Sequence, residues 1–140
     1  MQTSDRGQGP AIMLEAVDLA RPMRWPRKLT MEDRAELERL VEDGHQVSTN
    51  RRGTVLHLTE DSIRNTILYR TLIHEVGHWV DWKSWMQQPT FASSGATRSQ
   101  LEAAYFARPL VERERAAHRY WETQIATLRP NGLVPFARMD

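Results

Sequence analysis

A long apolar segment, from about residue 62 to residue 85, limits the fold of this chain more than any other sequence feature. Its apolar side chains recur at the three-to-four-residue spacing of one helix face: Ile63, Ile67, Leu72, Val76, Trp79 and Val80. Asp61 or Ser62 can cap the first turn. A helix this apolar is expected to be buried, so the rest of the chain has to supply the elements that cover it.

The residues before this helix predict one shorter helix and a β-hairpin. Thr30, followed three residues later by an aspartate, is typical of a helix N-terminus, and that helix is expected over 31–42. Residues of high β-propensity on both sides of a turn that ends in glycine predict strands over 46–49 and 54–59. Residues 11–29 begin with a stretch that fits a short helix or a short strand, and their two prolines then predict an extended connection.

The residues after the apolar helix predict two more helices, over about 99–108 and 109–128, beyond a polar loop. Pro109 is suited to the first position of the last helix, because proline is tolerated in a first helical turn. Residues 1–10 are polar and contain glycine and proline, so a disordered tail is expected there. Residues 11–140 are enough for one domain, and the mixture of elements predicts the α+β class.

The composition excludes several kinds of site and partner. The chain has no cysteine, so disulfides, thiolate metal sites and cysteine nucleophiles are impossible, and a metal has to be bound by His, Asp or Glu. A net charge of +1 does not favour nucleic acid or an acidic membrane surface. No apolar run is long enough to span a bilayer, and the first ten residues lack the apolar core of a signal peptide. We therefore expect a cytoplasmic protein without a membrane partner.

The apolar helix carries two histidines, His74 and His78, with Glu75 directly after the first. Residues four apart lie on one helix face, so both imidazoles can bind the same metal ion. Zinc sites that catalyse reactions use three protein ligands and leave one position for water. A glutamate beside such a metal can take a proton from that water, which predicts Glu75 as the general base. Gly77 lies inside this helix, which is easiest to explain if another element approaches closely there.

The run from Thr71 to Asp81, TLIHEVGHWVD, resembles the active-site helix of zincin metallopeptidases, in particular compact intracellular members of the gluzincin type. The resemblance implies a minimal zincin-like domain, with a small antiparallel sheet packed on the active-site helix and further helices after it. It implies zinc-dependent hydrolysis of a peptide bond, with a third metal ligand from a later helix. It also implies that the strand before the helix, which carries His57, is an edge strand that binds an extended peptide, although a strand histidine without a catalytic role is the simpler interpretation of His57.

A third ligand is expected because two histidines alone make a weak zinc site. The gluzincin pattern requires a glutamate on a downstream helix, and the candidates are Glu102, Glu112 and Glu114. Glu114 lies in the apolar stripe of the last predicted helix, where the only other ionisable residue is His118. A carboxylate that faces the core is costly unless it is paired or binds a metal, which favours Glu114 and leaves His118 as an alternative. Glu112 lies on the opposite, arginine-rich face and is expected to be solvated.

Further residues have predicted supporting roles. Asp81, one turn after His78, can accept a hydrogen bond from a ligand histidine, or it can pair with a nearby basic side chain. His118 and Tyr120 are predicted as catalytic donors to the oxyanion that forms when water attacks a carbonyl, and Tyr105 is a rival donor. Two imidazoles and a carboxylate suit Zn²⁺, although the same ligands also suit iron, cobalt or manganese.

The leading hypothesis is a zinc-dependent endopeptidase that acts on a peptide or protein substrate. A chain of 140 residues has little room for a deep pocket, so we expect a shallow groove and consider a protein partner that positions the substrate. The alternative is a catalytically silent zincin-fold module that binds or regulates; the presence of Glu75 argues against it. A nucleic-acid-associated module is the third hypothesis, because one face of the last helix carries Arg113, Arg115 and Arg119. Acidic neighbours dilute that face.

Overall fold

The computed structural model describes residues 11–14 and 16–135 of the chain. The strands are β1 Met23–Trp25, β2 Gln46–Asn50 and β3 Gly53–His57, and the helices are α1 Met31–Glu42, α2 Glu60–Asn65, α3 Leu72–Met86, α4 Pro89–Ala92, α5 Arg98–Phe106 and α6 Leu110–Leu128. A π-helical segment, Thr66–Thr71, joins α2 to α3 without a break. The predicted α+β class is confirmed. The predicted tail over residues 1–10 lies outside the described residues.

The sheet is antiparallel, with the strand order β1-β3-β2. The predicted hairpin is confirmed, since β2 and β3 pair from Gln46 opposite His57 to Asn50 opposite Gly53. β1 pairs with the other side of β3, so β3 is the central strand, and the expectation that the strand before the site helix is an edge strand is wrong. The sequence predicted only an extended connection at β1, because three residues between two prolines are too few to show an alternating pattern.

The sheet is packed on α1 through a small apolar cluster. Leu37 and Leu40 of α1 contact Leu56 of β3, which is completely buried. Burying a leucine side chain of this kind stabilises the fold by about 2 kcal/mol. The predicted N-terminus of α1 is confirmed as well, because Thr30 and Asp33 form reciprocal hydrogen bonds between side chain and backbone. The sheet and α1 together form one layer of the fold, and the long helix lies against this layer.

A buried ion pair joins the end of α1 to the π-helical segment. Arg70 donates from Nε to Oδ2 of Asp43 at 2.8 Å and from Nη2 to Oδ1 at 3.0 Å. Thr66 donates to the same carboxylate at 2.8 Å. The Asp43 and Arg70 side chains are 4% and 11% exposed, so loss of either one would leave the other as an uncompensated buried charge, at a cost of about 3–5 kcal/mol. The contact therefore fixes the helix that carries the histidines to the layer of α1 and the sheet.

The C-terminal helices cover one side of the long helix. A second apolar cluster connects Tyr69 of the π-helical segment with Ile125 of α6 and with Val134. Both predicted C-terminal helices are confirmed with shifted bounds, and Pro109 lies just before α6 instead of starting it. The expectation that the long helix is buried is wrong for α3, in which Gly77 alone is buried among the described residues. The two apolar clusters contain too few side chains to cover α3 on all sides. In the described part of the chain, no helix combines the length and the apolar character needed to cross a membrane.

Candidate metal centre

The close contact between α3 and α6 depends on Gly77. A Cβ atom at this position would lie 2.9 Å from the carbonyl oxygen of Ala117 and 3.0 Å from its Cα. Ala117 is completely buried, so the two helix backbones meet here with no side chain between them. The predicted close approach at Gly77 is thus confirmed, and the approaching element is α6. Glu114 precedes Ala117 by about one turn, and this contact brings it level with the histidines of α3.

The carboxylate of Glu114 faces both histidines of the motif. Its Oε2 lies 3.2 Å from Nε2 of His74, and its Oε1 lies 3.4 Å from Nε2 of His78. The imidazole rings of the two histidines stand almost perpendicular, with their centroids 4.8 Å apart. One ligand atom from each of the three residues lies within 4.8 Å of the others. The structure therefore brings together the two histidines and the glutamate that helical phase favoured.

The chemistry of these three side chains suits a metal ion such as zinc. A tetrahedral zinc site with bonds of about 2.0–2.2 Å has ligand atoms about 3.4 Å apart, and the candidate ligand atoms here lie within 4.8 Å of one another. Two imidazole nitrogens and one carboxylate oxygen also form a ligand set that zinc accepts. The Glu114 side chain is 49% exposed, so one side of the centre is open to solvent. An open side is what a catalytic metal site requires and a structural one does not.

Glu114 is on the predicted helix face, but the burial argument that selected it is wrong. The apolar stripe of α6 is buried only from Ala117 onward, whereas Leu110 and Val111 are more than half exposed. Glu114 lies between these two regions, at the border of solvent. Its position is explained by the histidines it faces and not by burial in the core. Glu112 is exposed and 3.8 Å from Arg108, as expected for a solvated charge.

The π-helical segment ends three residues before His74. The N–H of Leu72 donates to the carbonyl of Ile67, five residues earlier, which is the π-helical pattern. The carbonyl of Tyr69 accepts a hydrogen bond of 2.7 Å from the indole N–H of Trp121 on α6. Such segments occur often at functional sites, because the extra residue changes which side chains share a face. Here the segment gives α6 a second attachment point next to the histidines.

The candidate centre lies where two clefts meet. The first cleft, of about 510 Å³, is bordered by His74, Glu114 and His118. The second cleft, of about 910 Å³, is bordered by Glu75, His78 and Glu114. Both clefts are open to solvent. Within the described residues, the Glu75 carboxylate has no hydrogen-bond or ion-pair partner, so it is available to a molecule in the second cleft.

Asp81 does not support a ligand histidine. Its Oδ2 accepts hydrogen bonds from the hydroxyl of Tyr105 at 3.0 Å and from Nη1 of Arg108 at 2.9 Å. Across residues 11–14 and 16–135 it makes no hydrogen bond to either histidine, so the structure has the alternative role, a basic partner. Burial, followed by the hydrogen bond to Asp81, raises the pKa of Tyr105 to about 12. The Tyr105 hydroxyl is therefore committed to Asp81 and attaches α5 to α3.

The other predicted donors lie in different surroundings. His118 borders the first cleft, stacks on Trp121 with ring centroids 5.5 Å apart, and places Nε2 3.2 Å from Glu122. Tyr120 packs its Cβ against Gly77 and borders neither cleft. His57 is exposed on the sheet, where Nε2 lies 3.0 Å from the Ser48 hydroxyl. Of these three residues, His118 is the one that borders a cleft of the candidate centre.

Arg113 is a residue of the site that sequence reasoning missed. The helical pattern grouped it with solvated arginines, whereas in the structure it is half-buried and borders the second cleft together with Glu75 and His78. Its position next to Glu114 in the chain was the one available signal. Arg113 differs from the solvated arginines of α6 because Tyr105 and Phe106 of α5 lie against its guanidinium. The pattern of a single helix does not contain such contacts between helices.

Comparison with family models, with curated proteins and with solved structures gives no match for this chain. The likeness to zincins therefore remains a resemblance of one helical segment.

Proposed function

We propose that this chain is a zinc-dependent peptidase that hydrolyses a peptide bond in a peptide or protein substrate. The observation that carries the proposal is the placement of Glu114, whose two carboxylate oxygens face Nε2 of His74 and Nε2 of His78 at 3.2 and 3.4 Å. Glu75, the residue after the first histidine, borders the adjoining cleft, and its carboxylate has no partner among the described residues. The proposal thus combines three candidate metal ligands with the nearby Glu75 carboxylate as the general base.

The roles of the side chains follow from these positions. His74, His78 and Glu114 would bind zinc, which when present polarises a carbonyl group and makes water more acidic. Glu75 would take the proton of the attacking water and later give it to the leaving amine. His118, on the wall of the first cleft, would donate a hydrogen bond to the oxyanion. Tyr120 has no part in this proposal, because it borders neither cleft.

The substrate would cross the candidate centre from one cleft to the other. Glu114 borders both clefts, so a substrate that extends from one cleft to the other would pass this candidate ligand. Binding as an additional strand beside β3 is not part of the proposal, since β1 and β2 occupy both sides of β3. The proposal also includes a cytoplasmic location and a protein partner that positions the substrate. Both are predictions from the sequence alone.

The deciding experiment compares wild type with Glu75→Gln and with Glu112→Gln, an exposed glutamate of α6 that serves as the control. Metal content is measured by elemental analysis for zinc, iron, cobalt and manganese, and hydrolysis is measured on a mixture of fluorogenic peptides. Glu75→Gln should retain zinc and lose hydrolysis by about 10²–10⁴-fold, whereas Glu112→Gln should keep both. Zinc without hydrolysis in the wild type would favour the silent binding module. A wild type that binds no metal would contradict the proposal.

A further inference from the structure

Arg113 has surroundings that the proposed chemistry does not explain. Its guanidinium carbon lies 5.6 Å from the ring centroid of Phe106 and 5.9 Å from that of Tyr105. Its Nε is buried and has no hydrogen-bond partner among the described residues. The side chain borders the second cleft, beside Glu75 and His78. Two aromatic rings thus hold an arginine in place next to the candidate centre.

Among the residues that the structure describes, the other arginines near the second cleft have carboxylate partners, and Arg113 does not. Arg98 pairs with Glu102 at 3.0 Å, and Arg108 pairs with Asp81 at 2.9 Å. In the described part of the chain, no carboxylate lies within ion-pair distance of Arg113. Its neighbour Glu114 is directed toward the histidines, and adjacent residues of a helix do not face each other.

A half-buried cation without a counterion is unfavourable, because burial removes part of its hydration. The two aromatic rings offset some of this cost through cation–π attraction. The planar guanidinium keeps several N–H donors, which match the two oxygens of a carboxylate. A carboxylate of a molecule that enters the cleft would satisfy these donors.

We propose that Arg113 binds a carboxylate of the substrate in the second cleft and so selects which peptides are cut. This inference rests on the proposed peptidase function. Two sources supply such a group: an acidic side chain near the scissile bond, or the C-terminal carboxylate of the substrate. Phe106 acts as a positioning residue, because its ring lies against the guanidinium at the border of the cleft.

The test measures binding of three N-acetylated alanine-rich pentapeptides by calorimetry, with both metal-free and zinc-loaded protein. The first has a central glutamate and an amidated C-terminus, the second has glutamine instead, and the third has glutamine and a free C-terminal carboxylate. The variants are Arg113→Gln, Arg113→Lys, Phe106→Ala and the control Arg119→Gln, an exposed arginine of α6 that borders neither cleft. Circular dichroism checks that each variant is folded.

Wild type should bind one of the carboxylate-bearing peptides about tenfold more tightly than the neutral peptide, since hydrogen bonds to charged groups are strong. The glutamate peptide or the free C-terminus identifies the source of the carboxylate. Arg113→Gln should lose the preference, Arg113→Lys and Phe106→Ala should keep part of it, and Arg119→Gln should keep all of it. If Arg113 had only a structural role, Arg113→Lys would not restore part of the carboxylate preference that Arg113→Gln loses.

Equal or undetectable binding of the three peptides by the wild type would overturn the inference, as would a preference that persists in Arg113→Gln. These results are separable from the proposed function. Hydrolysis of the neutral peptide without any preference would leave the peptidase proposal intact. A carboxylate preference in protein that neither binds zinc nor cuts peptides would support Arg113 as a binding residue while the peptidase proposal fails.

Discussion

Gly77 and Ala117 are in contact at the crossing of α3 and α6, where a Cβ on the glycine would lie 3.0 Å from the Cα of the alanine. The contact lies between the backbones of two helices, so neither side can move away as a flexible side chain would. Because Gly77 lies between His74 and His78 and Ala117 lies one turn after Glu114, the spacing of these two small residues sets the distance between the three candidate ligands.

Gly77→Ala should therefore weaken zinc binding and the fold together. Overpacking at such a contact costs about 1–3 kcal/mol, whereas alanine regains only about 0.5–1 kcal/mol of helix propensity, so the net effect is a loss of stability. Thermal unfolding of the metal-free protein and a zinc titration measure the two effects. Ser84→Ala, at an exposed position of the same helix, is the control and should change neither. A Gly77→Ala variant as stable as wild type would mean that the two helices can separate without cost.

Glu114→Gln should lower zinc affinity by more than about 100-fold, since even residues that only orient a metal ligand contribute 10- to 100-fold. The substitution keeps the shape of the side chain and removes the charge that faces His74 and His78. Competition with a chromophoric chelator measures the affinity. Glu112→Gln removes a charge of the same sign from the exposed side of α6 and should leave the affinity unchanged. Retention of zinc by Glu114→Gln would move the third ligand to another residue, with His118 next in line.

The candidate ligands could be predicted because their signals are local. His74, Glu75 and His78 lie within one helical segment, and the phase of α6 places Glu114 on the side that faces this segment. The reason given for Glu114 was still incorrect, because the side chain is 49% exposed and not buried in the core. Its half-open position depends on how far α6 extends beyond the contact at Ala117, which is a property of the assembled fold.

The features that escaped prediction depend on distant parts of the chain. β1 forms because β3 offers a free side for pairing, and three residues between prolines carry no pattern of their own. The π-helical segment is held in place by the indole of Trp121, fifty-two positions beyond Tyr69. Arg113 is half-buried and not fully solvated, because Phe106 at the end of α5 lies against its guanidinium. A helical pattern read one segment at a time contains none of these contacts.

His45 should make the protein less stable in mild acid. Its Nε2 lies 2.9 Å from the Thr66 hydroxyl, which gives its single proton to Asp43, so Nε2 has to be the donor in that contact. Burial lowers the pKa of His45, and the nearby Asp43 carboxylate offsets only part of this effect. The stabilisation is then complete above the unfolded pKa of 6.5 and is lost as the pH falls toward the lower folded pKa.

Urea unfolding of the metal-free protein between about pH 8 and about pH 5 measures this dependence without proton-linked loss of metal. His45→Gln keeps an N–H donor for Thr66 and removes the titrating group, so its free energy of unfolding should change less over this range. An unchanged slope in His45→Gln would assign the acid sensitivity to other residues.

Tyr105 should make the protein less stable in alkali. Its folded pKa of about 12 lies above the ordinary tyrosine value of 10.0, because burial and the hydrogen bond to Asp81 favour the neutral phenol. The native state then holds its proton more tightly than the unfolded state, so the stabilisation is complete below pH 10 and is lost as the pH rises toward 12. A shift of this size corresponds to about 2–3 kcal/mol. Tyr105→Phe removes both the titrating group and the hydrogen bond to Asp81, so it should be less stable near neutral pH and show a flatter decline in alkali. Ultraviolet absorbance at the phenolate band follows the titration directly. Ionisation of Tyr105 in the folded protein near pH 10 would contradict a hydroxyl that is held by its hydrogen bond to Asp81.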